Sequence, residues 1–74
     1  MLTEMISMKI YDALKIAIQT LENSNLMHKP EYKLYASKEN DKWVFWFVFL
    51  PETPGLDVTA IVATDGTTEV LAGI

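Results

Sequence analysis

The chain has 74 residues, half of them hydrophobic, with six Lys, no Arg and ten carboxylates for a formal net charge of −4. That length makes one domain, burying only about 60% of the surface its unfolded chain exposes, and the absence of Cys excludes a disulfide framework and a thiolate metal site. An acidic chain without Arg is poorly equipped to neutralise phosphates or anionic headgroups, so nucleic acid and membranes are not expected partners.

The N-terminal stretch Met1 to Met8 has no basic region, and Lys9, Asp12 and Lys15 interrupt any apolar run behind it. It therefore does not read as a targeting signal, and cytoplasmic residence is the expectation. From Ser7 to about Asn23 the spacing predicts one amphipathic helix. Ile10, Leu14, Ala17, Ile18 and Leu21 recur every three or four residues, and Lys9, Asp12, Lys15, Gln19 and Glu22 form the opposite face. Ser7 is the expected N-cap, and Asn23-Ser24-Asn25 the stop, since Asn tolerates the left-handed backbone of a helix end.

Beyond Pro30 the period changes from 3.6 to 2. Tyr32 to Ser37 alternates as a first strand, and Glu39-Asn40-Asp41 is a turn cluster. Lys42 to Leu50, almost wholly aromatic and β-branched, is the strongest strand signal of the chain. Its eight-residue apolar core is far short of the ~20 residues that span a bilayer as a helix. Pro51 to Gly55 reads as a rigid loop, because both prolines fix φ and remove ladder donors. Asp57 to Thr64 is a third strand and Thr67 to Ala72 a fourth, joined by Asp65-Gly66, a two-residue type I′ turn on its sequence. The expected fold is α+β: one N-terminal helix on a four-stranded antiparallel meander, α-β-β-β-β, in a single domain.

A tight turn at Asn40-Asp41 pairs Tyr32 with Phe49, Leu34 with Phe47 and Ala36 with Phe45 on one apolar face, which is expected to take the helix. The reverse face pairs Lys33 with Val48, Tyr35 with Trp46 and Ser37 with Val44. Around Asp65-Gly66 a two-residue turn pairs Ile61 with Val70 and Ala60 with Leu71. One helix covers one face of a sheet. Tyr35, Val44, Trp46 and Val48 are left over as the candidate interaction surface. The expected cover is a second copy or a protein partner, unless Met1 to Ile6 or the Pro51–Gly55 loop folds over them.

Other chemistry finds little footing. His28 is the lone His, and Asp57, Asp65 and Glu69 lack the spacing of a calcium loop, so no metal or cofactor is expected. Ser7, Ser24 and Ser37 lie at a cap, a loop and a strand, without the base and orienting group that a nucleophile needs. A carboxylate pair such as Glu52 and Asp57 on the Pro-rich loop could do acid–base work, but the reading preferred for them is solvated loop charges. Gly55, Gly66 and Gly73 do not make a phosphate-binding loop. An enzyme is not expected.

The pattern Asp12-Ala-Leu-Lys-Ile-Ala17, the strands Tyr32 to Tyr35 and Lys42 to Phe47, and Ile61-Val-Ala-Thr-Asp-Gly66 followed by Thr68-Glu-Val-Leu71 resemble PepSY-type domains over residues 8 to 74. Small immunity proteins of bacterial toxin systems have a similar helix-plus-sheet ending. Two departures stand out: PepSY domains generally follow a signal or membrane helix, and their bend is shorter than the Pro51–Gly55 loop. The resemblance implies a non-catalytic regulatory or inhibitory module that binds protein. The alternatives are a homodimer acting only in assembly, and a binder of an apolar small molecule between helix and sheet, which three core phenylalanines would leave little room for.

Overall fold

A computed structural model describes residues 8–72. Helix α1 spans Ile10–Asn23, followed by strands β1 (Tyr32–Glu39), β2 (Lys42–Phe49), β3 (Val58–Val62) and β4 (Thr68–Ala72). The strands form one antiparallel sheet in the order β1-β2-β3-β4, the α+β meander that the periodicities predict.

The helix begins later than expected. Lys9, in extended backbone and without a side-chain cap bond, holds the N-cap position, and its carbonyl accepts from the Ala13 N–H at 3.0 Å. Ser7 lies outside the described residues. Asp12 in the first turn offsets the positive end of the helix dipole. At the other end Asn25 takes φ 59°, and the Asn25 and Leu26 N–H groups donate to Glu22 and Leu21 C=O at 3.2 and 2.8 Å. That pair of bonds is a Schellman closure, satisfying carbonyls the helix leaves open.

Ala13, Ala17 and Leu21 form the buried line of α1, and Phe45, Phe47, Phe49, Val58, Ala60 and Val62 rise from the sheet to meet it. Two alanines let the helix axis come close, so the large β2 rings fill the layer between. Leu14, Ile16 and Ile18 flank the line, while Ile10 is exposed. Each buried Phe contributes about 1.5–3 kcal/mol by leaving water.

The helix packs on β2, β3 and β4 but does not reach β1. This corrects the expectation that the whole inner face lies under it: Leu34 stays 37% exposed and Ala36 is exposed too. The reason is width. A helix about 10 Å across cannot roof four strands spaced about 4.8 Å apart. Only Tyr32 at the start of β1 reaches the core, its ring edge-on to Phe47 and Phe49 at 5.1 and 5.9 Å.

The two hairpins differ. Asn40-Asp41 is a two-residue turn with Asn40 at φ 57°, and β1 pairs with β2 as expected, Tyr32 opposite Phe49 through Glu39 opposite Lys42. The second turn is one residue longer than the sequence predicts. Ala63 bonds Thr67, the Gly66 N–H donates to Ala63 C=O at 2.9 Å, and Gly66 sits at φ 90°. A tight turn closed by a left-handed Gly is a three-residue loop with a bulge, not a type I′ turn. The Asp65 carboxylate selects it by accepting the Thr67 N–H at 2.9 Å. Ala60 therefore pairs with Val70 and Thr59 with Leu71. A one-residue slip exchanges faces: Val70 turns inward against the core and Leu71 turns out.

Candidate functional site

The outer face of the sheet is built by residues whose neighbours in sequence point inward. On β2, Val44, Trp46 and Val48 alternate with the buried phenylalanines, and strand pairing extends them into rows. The central row runs Tyr35, Trp46, Thr59, Leu71 across all four strands. Beside it lies Ser37, Val44, Ile61, Glu69. Tyr35 is 50% exposed, Trp46 42% and Leu71 51%, while Val44 and Val48 are half-buried between their neighbours. All four candidate residues thus share one surface, as their parity requires.

Trp46 is held in place. Its indole Nε1–H donates to Asp57 Oδ2 at 2.7 Å, and the Tyr35 ring packs against it at 5.1 Å with a 33° tilt. Asp57, at the end of the loop from β2, anchors the indole edge and leaves its ring faces to Tyr35 and solvent. Glu52 on the same loop accepts from Lys33 Nζ at 2.9 Å, both side chains being exposed. That hydrogen bond and the Glu52 charge raise the Lys33 pKa above its ordinary value.

The loop does not fold over the face. It stands at one end as a wall, and an open cleft of about 480 Å³ runs between Tyr35, Trp46 and Val48 on its floor and Glu52, Pro54 and Asp57 on its side. Residues 1–7 lie outside the described residues, so the other candidate cover is not placed.

Glu52 and Asp57 each hold a different side chain, Lys33 and Trp46 respectively. Asp57 is thus a loop charge at the surface with a fixed partner. His28 lies on the opposite layer, its ring edge-on to Phe49 at 5.4 Å. Among the described residues there is no cluster of metal-binding side chains, and no helix is long and apolar enough to cross a membrane.

Sequence reasoning missed two residues of this surface. A two-residue turn pairs Leu71 with Ala60, which is buried, where the structure pairs it with Thr59, and Asp57 has no local signal tying it to Trp46 eleven residues earlier. The signal that finds Leu71 is the residue Thr64: once it is counted into the loop, the face of every β4 residue inverts. No protein-family model matches the chain, no curated protein matches it, and no solved structure matches it.

Proposed function

We propose that the protein is a small non-catalytic binding module that engages a protein partner through the outer face of its sheet. The observation that carries this reading is a fixed, exposed aromatic pair. Trp46 and Tyr35 pack on each other at a 33° tilt, Asp57 orients the indole, and both rings still meet solvent in a row that ends in Leu71. Trp and Tyr are the side chains that most often anchor protein interfaces. Rings already held in one rotamer lose little entropy when a partner arrives. The resemblance to PepSY-type domains, with its implied regulatory or inhibitory binding, points the same way.

The alternative of an apolar ligand between helix and sheet is disfavoured by the buried Phe45, Phe47 and Phe49, which fill that layer. Affinity capture from the source cell with the wild type, Trp46→Glu, Leu71→Glu and a control substitution at exposed Thr64 tests the reading. A partner retained by the wild type and the Thr64 control, and lost by both face variants, is the expected outcome. Equal recovery with all four chains would overturn it.

A further inference from the structure

The edge of the sheet at β1 offers a second surface, independent of the outer face. The Leu50 N–H donates to Glu31 C=O at 2.9 Å, and the β1–β2 register runs on without interruption to Glu39 opposite Lys42. Ladder bonds of an antiparallel pair alternate along each strand. Lys33, Tyr35, Ser37 and Glu39 therefore turn their main-chain groups toward β2, and Leu34 and Ala36 turn theirs out from the sheet. The eight-residue strand is also open on both sides, because α1 stops short of it and Leu34, Tyr35, Ala36 and Ser37 are all exposed.

Edge strands are usually guarded against pairing by charged side chains, Lys above all. Here both lysines of β1 are drawn back onto their own sheet. Lys33 reaches Glu52 at 2.9 Å, and the Lys38 ammonium lies 5.2 Å from the centre of the Trp43 ring. The edge is long, straight in register and weakly guarded.

We propose that two copies of this chain pair antiparallel through β1, about a two-fold axis at Ala36. In this register Ala36 exchanges N–H and C=O bonds with Ala36 of the partner subunit, using groups that β2 leaves unused. On the outer face Tyr35 stands opposite Ser37 of the partner subunit. Lys33 stands opposite Glu39 of the partner subunit, and symmetry makes that contact twice. Opposite charges directly across a strand pair attract, and like charges repel. Charge favours this axis over the neighbouring one: moved one residue to Tyr35, it would lose both Lys33–Glu39 contacts and set Glu31 against Glu39 of the partner subunit at both ends. The pairing joins the two meanders into one eight-stranded sheet. It also brings Glu39 of the partner subunit to the rim of the cleft, where Lys33 bridges it and Glu52.

Sedimentation equilibrium of the wild type and Ala36→Pro tests this. Proline is tolerated on an edge strand where its missing N–H faced solvent, so the variant keeps the dichroism of the wild type and sediments as a monomer. Glu39→Lys turns two attractive contacts into two repulsive ones and raises the dimer dissociation constant about tenfold at low salt, less at high salt. This second variant carries the test if the proline prevents folding. A wild type that is monomeric at high micromolar concentration overturns the proposal, and so does a folded Ala36→Pro that still dimerises. An unchanged dissociation constant for Glu39→Lys overturns the axis at Ala36.

Discussion

Strand β2 carries aromatic residues on both of its faces, and the two faces meet different surroundings. Phe45 and Phe47 are 0% exposed under α1, whereas Trp46 between them is 42% exposed on the far side. The same backbone alternation places all three rings, so alternation decides the side and not the cover. Cover depends on how many layers the chain can supply, and one helix supplies one. The chemistry of the rings follows that division. The middle of the covered face holds phenyl rings with nothing to hydrogen-bond, and Trp43 at its end needs a main-chain partner, its indole N–H donating to Met8 C=O at 2.9 Å. On the open face the Trp46 indole binds Asp57 at 2.7 Å and still meets solvent.

The most severe way to break this comparison is to remove one ring from each face. Phe47→Ala opens a cavity in the middle of the core and is expected to cost about 3–5 kcal/mol. A domain of this size has a stability near the lower end of about 5–15 kcal/mol, so the variant should be largely unfolded at physiological temperature. Trp46→Ala gives up one hydrogen bond and one ring contact at a wet surface and is expected to cost about 1 kcal/mol. Urea titration followed by far-UV dichroism measures both. Equal costs at the two positions would show that the outer face is as deeply packed as the inner one.

A smaller effect is expected at the turn that decides which β4 residues join each face. Gly66 has φ 90°, a conformation L-residues adopt at a cost, and a Cβ there would meet only Ile16 Cδ1 at an ordinary 4.0 Å. Gly66→Ala should therefore cost about 1–2 kcal/mol from backbone strain alone. The two-residue type I′ turn also needs positive φ at this position, so shifting the hairpin would not relieve the strain. A loss well below that, measured by the same titration, would mean that residue 66 leaves the left-handed region in the variant.

That turn also marks where the sequence stopped being legible. The helix, the four strands and the β1–β2 register follow from periodicity and from the two-residue turn at Asn40-Asp41. Asp65-Gly66 fits two closures with the same residues. What separates them is whether Asp65 adopts positive φ itself or stays right-handed and binds the Thr67 N–H, a choice that pattern counting does not weigh. The candidate face was legible at Tyr35, Val44, Trp46 and Val48 because parity fixes them together. The uncovered inner side of β1 was not, because nothing in a strand pattern measures the width of a helix. Asp57 was not, because its bond to Trp46 depends on the path of the loop from Pro51 to Leu56.

The smallest effect tests the electrostatic part of that choice. The Thr67 main-chain N–H, and after it the Thr67 hydroxyl, hold the Asp65 carboxyl below its ordinary pKa. A carboxyl whose pKa is lower in the folded than in the unfolded chain contributes stability above the unfolded value, and that contribution is lost as pH falls through the folded one. Asp65→Asn keeps a side-chain oxygen for the Thr67 N–H but removes the charge. At neutral pH the wild type should therefore have the higher urea midpoint of the two. The gap should close as pH falls from about 5 toward 2, where the wild-type carboxyl takes up its proton. A group this exposed is also screened, so added salt should narrow the gap at neutral pH. A gap that stays constant down to the acid limit would assign the turn's preference to geometry alone. The three-residue loop, and with it the outward Leu71, would then rest on Gly66 and the shape of the Asp side chain rather than on its charge.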